Sequence, residues 1–358
     1  MKSTSFLRPA PVLPNGCRTV VDADSPRACA ETLWGGERLL LRCDYRKGAA
    51  ILSQLEKQHP APKQADFATR TAHLRQLRTA QLRLLAPIRN HRVALHNARK
   101  IGFLKELYPD TDAFVLPFPE IQALHGAWTA YKDGKHLAVL GHKIHPFFGT
   151  YAPRRTSHLE LFATWLSGYS GPRISATDVG TGCGVLGFML SKAGFHSVMA
   201  TDCNPNALES FRRDLQRHTQ KPNVSLMETD LLAGTPKEVD LIVFNPPWIH
   251  GHVESFLDRA LTFDDDLFDR FFTQAVEKLA PHGRVVLIFS NILQLLQPEV
   301  DHPILQELEK GRFRLVNKLQ RRVQSDSNRK APHRRTKERV EVWELMQTAS
   351  PESSQDCT

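Results

Sequence analysis

The sequence predicts an α/β protein whose C-terminal part is a doubly wound, mostly parallel β-sheet. Over residues 156–347, apolar strand-like runs alternate with amphipathic helix-like runs. A glycine-rich turn follows the first of these strands, and the next strand ends in an acidic residue. Parallel strands need long crossover connections, usually helices, so this alternation favours a parallel sheet covered on both faces. The 358 residues also leave room for a second domain.

The two ends of the chain are predicted to be disordered, as an arm over residues 1–23 and a tail over residues 348–358. The tail is polar and poor in apolar residues. The first 21 positions hold three basic residues and no acid, as a transit peptide would. Their prolines disfavour the helix that such peptides form, so a plain arm is the preferred interpretation.

Residues 24–123 are predicted to form a mainly helical domain. Apolar residues recur at helical spacing over residues 31–41, 45–58 and 68–105. Pro87 is expected to kink or end the last of these helices, because proline lacks the N–H that a helix interior uses.

Residues 124–155 are predicted to form a β-hairpin connector. Strand-like runs over residues 128–131 and 136–140 flank Asp133-Gly134, a sequence typical of two-residue hairpin turns.

The elements of residues 156–347 follow from the period of their apolar positions, which is near 3.6 in helices and 2 in half-buried strands. The predicted helices cover residues 158–166, 185–193, 205–218 and 266–279. The predicted strands cover residues 174–179, 197–201, 224–228, 239–244, 284–290, 312–319 and 340–345.

Composition narrows the functional class. The formal net charge of +9 favours an acidic partner, of which nucleic acid is the commonest. The six cysteines form no C-x-x-C pair and no zinc-like Cys/His spacing, so we expect no metal site and a reducing, cytoplasmic location. No apolar run approaches the roughly 20 residues that span a bilayer, so no membrane partner is expected.

The glycine-rich turn Asp178-Val179-Gly180-Thr181-Gly182-Cys183-Gly184 joins a predicted strand to a predicted helix. Glycines allow positive φ and let a ligand approach the backbone closely. Asp202 ends the next strand, at roughly the 20-residue distance where a carboxylate meets ribose hydroxyls. Together these features predict a ligand that contains adenosine.

The pattern Asp178-x-Gly180-x-Gly182-x-Gly184 resembles the first motif of class I S-adenosylmethionine-dependent methyltransferases, and residues 201–208 resemble their second. Dinucleotide-binding turns space their glycines as G-x-G-x-x-G, which this turn does not. The resemblance implies a Rossmann-like fold with S-adenosyl-L-methionine as cofactor, Asp202 on its ribose and Asp230 near its adenine amine. A helix cap is the alternative role for Asp230.

Asn245-Pro246-Pro247-Trp248 follows the apolar strand 239–244 directly. In this context the motif resembles that of enzymes that methylate amino nitrogens on planar systems, which are base exocyclic amines and glutamine amides. Such a nitrogen shares its lone pair and is a poor nucleophile. The Asn245 side-chain oxygen and the Pro246 carbonyl can each accept one N–H and meet the charge that develops on nitrogen. Trp248 offers a flat face for stacking.

Residues 151–345 resemble the small methyltransferase domain group, which includes HemK-type release-factor glutamine methyltransferases and several ribosomal RNA guanine or adenine methyltransferases. Residues 147–154 look like the linker that these proteins place over the cofactor. The region before residue 123 resembles no member of the group, which leaves the acceptor open.

Two basic segments favour RNA as the acceptor. No acid lies between Asp66 and Glu106, and residues 310–339 hold twelve Lys or Arg residues against Asp326 and Glu338 alone. Arginine pairs bidentately with phosphate. The candidate RNA-binding residues are Arg75, Arg78 and Arg83 on a predicted helix, and Arg329, Lys330, Arg334 and Arg335 on a predicted loop. Merely solvated basic segments, a protein glutamine acceptor, a small-molecule acceptor and a non-enzymatic binding module are the alternatives.

Overall fold

The computed structural model describes residues 6–62, 66–153, 155–219, 222–251, 262–323 and 337–348. The chain divides into two compact units, Phe6–Asp133 and a second unit that contains the described residues from Gly134 onward. Among the described helices, none is long and apolar enough to cross a membrane.

The N-terminal unit is built around a five-stranded sheet. Its elements are β1 (Arg18–Val20), α1 (Pro26–Trp34), β2 (Leu39–Leu41), α2 (Tyr45–Gln58), α3 (Phe67–Leu82), β3 (Leu84–Arg89), β4 (Arg92–Val93), α4 (Phe103–Leu107), β5 (Ala113–Pro117) and α5 (Phe118–Asp133). Strands β1, β2 and β3 are parallel, whereas β4 and β5 pair with β3 in the antiparallel sense. The leucine-rich β2 is buried along its whole length.

The prediction of a mainly helical domain missed this sheet. Residues 31–41 hold the end of α1 and all of β2, and the predicted helix over residues 68–105 ends at Leu82, where β3 follows. Short, fully buried strands have continuous apolar runs that cannot be distinguished from buried helix by periodicity. Pro87 lies inside β3. The predicted helix over residues 45–58 is confirmed as α2.

The predicted disordered arm is wrong for its described part. Strand β1 pairs with β2, and the N–H of Val12 donates to the carbonyl of Val115 at 2.9 Å. Residues 6–23 therefore belong to the N-terminal unit. The tail from residue 349 onward lies outside the described residues.

The connector is also different from the prediction, because residues 128–131 are the last turns of α5 rather than a strand. Gly134 has φ of 66° and follows the helix directly, so Asp133-Gly134 ends a helix instead of turning a hairpin. Glycine serves both purposes. The hairpin lies slightly later, between β6 (Lys135–Leu137) and β7 (His142–Ile144).

The rest of the second unit alternates helices and strands. Its elements are α6 (Ser157–Ser167), β8 (Ser175–Val179), α7 (Val185–Lys192), β9 (Ser197–Asp202), α8 (Pro205–Arg217), β10 (Val224–Glu228), β11 (Val239–Phe244), β12 (Ile249–His250), β13 (Thr262–Phe263), α9 (Leu267–Lys278), β14 (Leu279–Ser290), α10 (Ile292–Leu296), α11 (Pro303–Lys310), β15 (Phe313–Arg322) and β16 (Arg339–Gln347).

Seven of these strands form one sheet in the order β10-β9-β8-β11-β14-β16-β15. The pairs from β10 to β14 are parallel, and β16 runs antiparallel to both of its neighbours. Buried apolar clusters cover the sheet, with Phe162 and Phe188 in one and Phe271 and Phe289 in the other. The predicted α/β class and all seven predicted sheet strands are confirmed.

The chain reverses its direction of winding between β8 and β11. From β8 it proceeds through β9 to β10 on one side, and then crosses to β11 on the other side. In open α/β sheets, ligands bind at the carboxyl ends of the strands at such a switch point. The glycine-rich turn follows β8, and Asn245 follows β11, so both lie where this rule expects a ligand.

Candidate functional site

A cavity of about 330 Å³ opens at the carboxyl ends of β8, β9 and β11, entirely within the second unit. Its walls hold most of the residues that the motifs single out. They include Tyr151, Pro153, His158, Gly180, Gly182, Asp202, Asp230, Asn245, Pro246, Pro247, Trp248, Arg270 and Glu338.

The three glycines of the turn have positive φ values of 62°, 55° and 81° at Gly180, Gly182 and Gly184. A Cβ at Gly184 would lie only 2.2 Å from a ring carbon of Phe211, so packing excludes a side chain there. At Gly182 a Cβ would come no closer than 3.7 Å to the Tyr151 carbonyl. Because Gly182 lines the cavity, a longer side chain there would extend into it.

Asp178 stabilises the glycine-rich turn through hydrogen bonds and does not line the cavity. Its Oδ2 accepts hydrogen bonds from the Thr181 hydroxyl at 2.6 Å and the Gly187 N–H at 2.8 Å. Burial raises the pKa of this carboxyl to about 7, although the two donors act in the opposite direction. Asp178 therefore supports the shape of the turn rather than offering its carboxylate to the cavity.

Asp202 joins the two sequence motifs and reaches the cavity. One carboxylate oxygen accepts the Gly182 N–H and the other accepts the Asn204 N–H, both at 2.9 Å. Burial raises the pKa of Asp202 to about 6. The carboxylate is thus fixed beside the glycine turn.

Asp230 also lines the cavity, and its carboxylate forms an ion pair with Arg270. The chain forms a turn, not a helix, after Asp230, so a helix-cap role has no support. Arg270 contacts Asp266 as well, at 3.1 Å. Sequence reasoning missed Arg270 because its partner Asp230 is 40 residues away in the chain.

The acceptor loop, residues 245–248, presents an unpaired acceptor. The Oδ1 atom of Asn245 is buried and has no hydrogen-bond partner among the described residues. Pro246 is buried, and Trp248 is half-buried. The Trp248 Nε1–H donates to the Ile288 carbonyl at 3.2 Å, which fixes the indole against β14.

Two further residues contact this loop or the strand β12 that follows it, and neither belongs to a sequence motif. The Gln297 side chain accepts the His250 N–H at 3.0 Å and donates to the His250 carbonyl at 2.8 Å. His158 is 4% exposed and meets the Trp248 ring edge-on, with centroids 5.5 Å apart. Burial lowers the pKa of His158 to about 4, so its imidazole is neutral at physiological pH.

The described part of the linker, residues 147–153, runs along the start of α8. The Asn204 Nδ2–H donates to the Gly149 carbonyl at 2.9 Å, and the Asn206 Nδ2–H donates to the Phe148 carbonyl at 2.8 Å. These bonds bring Tyr151 and Pro153 into the cavity wall. The second motif thus positions the linker as well as Asp202.

The predicted RNA-binding arginines of the N-terminal unit partly serve its own structure. Arg75 and Arg78 are exposed on α3, and Arg78 forms an ion pair with Glu120. Arg83 is half-buried at the end of α3 and donates to the Leu33 carbonyl at 3.0 Å.

The second predicted basic group, Arg329, Lys330, Arg334 and Arg335, lies outside the described residues. The described residues that flank this group are close together. The Val323 N–H donates to the Glu338 carbonyl at 3.0 Å, and Glu338 lines the cavity. The Glu338 carboxylate pairs with Arg155 at 3.0 Å.

Comparison with known proteins agrees with this geometry. Residues 161–310 match the family model of the methyltransferase small domain. The ribosomal protein L11 methyltransferase of Geobacillus thermodenitrificans is 29% identical over 197 residues, which are 49% of this chain and 57% of that protein. A Methanocaldococcus jannaschii protein, named provisionally as a protein N5-glutamine methyltransferase, is 25% identical over 122 residues, 32% of this chain and 61% of that protein.

This chain therefore spans less than two thirds of the length of either curated relative. Among solved structures, a Pyrococcus horikoshii protein described provisionally as an RNA methyltransferase is 17% identical with a TM-score of 0.40. That alignment covers 64% of this chain and 100% of the other.

Proposed function

We propose that the S-adenosylmethionine-dependent methyltransferase domain of this chain transfers the cofactor's methyl group to a planar amino nitrogen. The observation that carries this proposal is the buried Oδ1 of Asn245 in the wall of the cavity, which has no hydrogen-bond partner among the described residues. An unsatisfied buried acceptor is costly, so a fold that retains one has a ligand donor as its natural partner.

An amino group on a planar system supplies that donor. One N–H would meet Asn245 Oδ1 and the other the Pro246 carbonyl, which favours a pyramidal nitrogen whose lone pair faces the sulfonium methyl. Breaking the cofactor's C–S bond and forming the N–C bond would place positive charge on nitrogen, which the two fixed oxygens would stabilise until one N–H proton is released to solvent. Trp248, held by Ile288, limits where a planar acceptor can lie.

The other wall of the cavity fits the cofactor. The open space at Gly182 admits an adenosine close to the backbone, and the fixed carboxylate of Asp202 can accept ribose hydroxyls. Asp230 stands at the same wall, where the adenine amine is the expected donor, although Arg270 already pairs with it. The cofactor supplies an electrophilic methyl group, and the chain supplies the alignment.

Cofactor affinity should fall as the pH drops through 6. Asp202 has a pKa raised to about 6, and its ionised form is the better acceptor for ribose hydroxyls. Affinity should be full above pH 7 and about tenfold weaker at pH 5, because one proton must be released on binding. Calorimetry at pH 5 and 7.5 measures this effect. Asp202→Asn should bind weakly and with little pH dependence, and equal wild-type affinities at the two pH values would contradict the role.

As acceptor we propose an exocyclic amine of a base in RNA. The net charge of +9 favours a polyanion. Residues 310–339 hold twelve Lys or Arg residues, and Glu338, near the end of that segment, lines the cavity. A segment so rich in basic side chains suits the phosphates that flank a target base.

A glutamine amide is the second candidate. Both curated relatives carry names that assign them to protein methylation, and an amide nitrogen presents the same two N–H groups to Asn245 and Pro246. The net charge of +9 and the basic segment over residues 310–339 favour RNA over this candidate.

Methyl transfer from labelled cofactor into a cell lysate should give a product that RNase destroys and protease leaves intact. RNA is expected because of the net charge and the basic segment over residues 310–339. A label that resists RNase and disappears with protease would show that the acceptor is the glutamine amide and not RNA. The proposed methyltransferase activity would still stand. Asn245→Ala, incubated in parallel, should leave both fractions unlabelled.

The double variant Arg334→Ala/Arg335→Ala should bind the labelled RNA more weakly than the wild type does. Its affinity should also depend less steeply on salt concentration. Each lost phosphate contact removes about 0.7 to 0.9 from the slope of log affinity against log salt. The matched control is Lys192→Ala/Lys237→Ala, which removes two charges that do not line the cavity. Equal slopes for the two double variants would exclude the phosphate-binding role, and cofactor affinity should be unchanged in both.

A further inference from the structure

The N-terminal unit contains a second cavity, of about 290 Å³, which the methyl-transfer chemistry does not use. It lies at the carboxyl ends of the parallel strands β1, β2 and β3. Its lining is Asp22, Arg42, Cys43, Pro87, Arg89, Ala94, Leu95 and His96. Carboxyl ends of parallel strands are the usual place for ligands in sheets of this kind.

Backbone contacts define the shape of this cavity. The Arg42 N–H donates to the Val20 carbonyl and the Ala94 N–H to the Pro87 carbonyl, at 2.9 and 2.8 Å. The Tyr45 N–H donates to the His96 carbonyl at 2.9 Å, which ties the far wall to the start of α2. The side chains on these walls are therefore carried by a firmly bonded backbone.

Two arginines in the lining have guanidinium groups without a partner among the described residues. Arg42 and Arg89 are exposed, and the guanidinium of neither makes a hydrogen bond or ion pair with a described residue. Several other arginines of the same unit do have partners. Arg18 pairs with Asp24, Arg27 with Glu31, Arg78 with Glu120, and Arg38 and Arg83 donate to carbonyls.

The acids nearby are already engaged. Asp44 accepts the Arg46 N–H at 2.8 Å and the Asn97 Nδ2–H at 2.6 Å, and the Arg46 bond is the main reason why its pKa is lowered. Asp22 accepts the Asp44 N–H at 3.0 Å with one oxygen. No described residue makes a hydrogen bond to the other Asp22 oxygen, which can therefore accept one from a hydroxyl.

We propose that this cavity binds a ribonucleotide, with its phosphate held by Arg42 and Arg89 and a ribose hydroxyl by Asp22. Guanidinium groups hold phosphate through paired N–H donors, and a strand-end carboxylate suits a ribose hydroxyl. The site binds either a nucleotide within an RNA chain or a free mononucleotide. Nucleotide binding in this cavity requires no methyl transfer, so this proposal can be tested independently of the function proposed above.

The test measures binding to the full-length protein of a fluorescent mixed-sequence RNA 12-mer and, by calorimetry, of 5′-AMP. Arg42→Ala/Arg89→Ala is compared with Lys57→Ala/Lys105→Ala, which removes two exposed charges outside the cavity. The arginine variant should bind the 12-mer at least about tenfold more weakly, with a salt slope lower by about 1.4, as expected for two lost single-strand phosphate contacts. The lysine variant should change affinity less than about twofold.

The AMP arm identifies the source of the ligand. AMP binding that is lost in the arginine variant assigns the site to free mononucleotides, whereas loss of 12-mer binding alone assigns it to RNA. Unchanged binding of both probes in an arginine variant that retains the wild-type melting temperature would overturn the site, as would no binding of either probe to the wild type. Retained cofactor affinity in the same variant separates this result from any failure of the methyltransferase domain.

Discussion

Replacing Asn245 with alanine is expected to lower kcat by about a hundredfold or more, the scale of one lost preorganised polar contact in a transition state. Cofactor affinity should stay close to wild type, because Asn245 faces the acceptor and Asp202 faces the cofactor. Asn245→Asp keeps an acceptor oxygen at the same position and should retain more activity than alanine. Single-turnover transfer to the labelled acceptor measures the chemical step directly.

Stability gives this prediction an independent readout. Because Asn245 Oδ1 has no protein partner among the described residues, alanine removes an unsatisfied acceptor and breaks no bond that this oxygen makes. The melting temperature should therefore remain the same or rise while activity collapses. The control is Asn223→Ala, at an exposed position away from the cavity. Normal turnover by Asn245→Ala would remove the loop from the mechanism.

Gly182→Arg should weaken cofactor binding by at least about a hundredfold, which corresponds to roughly 2.7 kcal/mol. The backbone at Gly182 has φ of 55°, and the residue lines the cavity. An arginine would thus occupy the volume that adenosine needs and would disturb the N–H that Asp202 accepts. Calorimetry with the cofactor and its demethylated product measures the loss.

Gly194→Arg is the matched control for Gly182→Arg. It imposes the same side chain on another left-handed backbone, with φ of 89°, where no atom lies within 4 Å of the added Cβ. Both variants should be destabilised by the unfavourable φ, but only Gly182→Arg should lose the cofactor. Equal loss in both variants would point to general misfolding, and full affinity in Gly182→Arg would refute the cofactor position.

The helices and strands of the second unit could be predicted from the sequence because each is encoded by residues that are neighbours in the chain. The bounds of β10 and β11 agree with prediction to the residue, and the motifs that follow β8, β9 and β11 meet in one cavity. Parallel topology guarantees that meeting, since the carboxyl ends of neighbouring strands share an edge. Once the strands are assigned, therefore, the location of the cavity follows.

The site residues that could not be predicted from the sequence depend on partners that are distant in the chain. Gln297 and Arg270 take part in the site through bonds that span 47 and 40 residues, and no local pattern marks either of them. The N-terminal sheet escaped prediction because β1 and β2 are three residues long, shorter than a period-2 pattern needs. Asp133-Gly134 misled because a left-handed glycine ends helices as readily as it turns hairpins.

The acceptor loop and the nearby His250 are held by hydrogen bonds to residues that come later in the chain. Trp248 is bonded to the carbonyl of Ile288, and His250 to the side chain of Gln297. Both partners leave the ribosome after the glycine turn and Asp202, and a domain generally folds as a unit during translation. A chain that ends before residue 288 contains the glycine turn and Asp202 but lacks both partners and the strands β15 and β16 of the sheet. The acceptor side of the cavity is therefore completed only when the last third of the second unit has been synthesised.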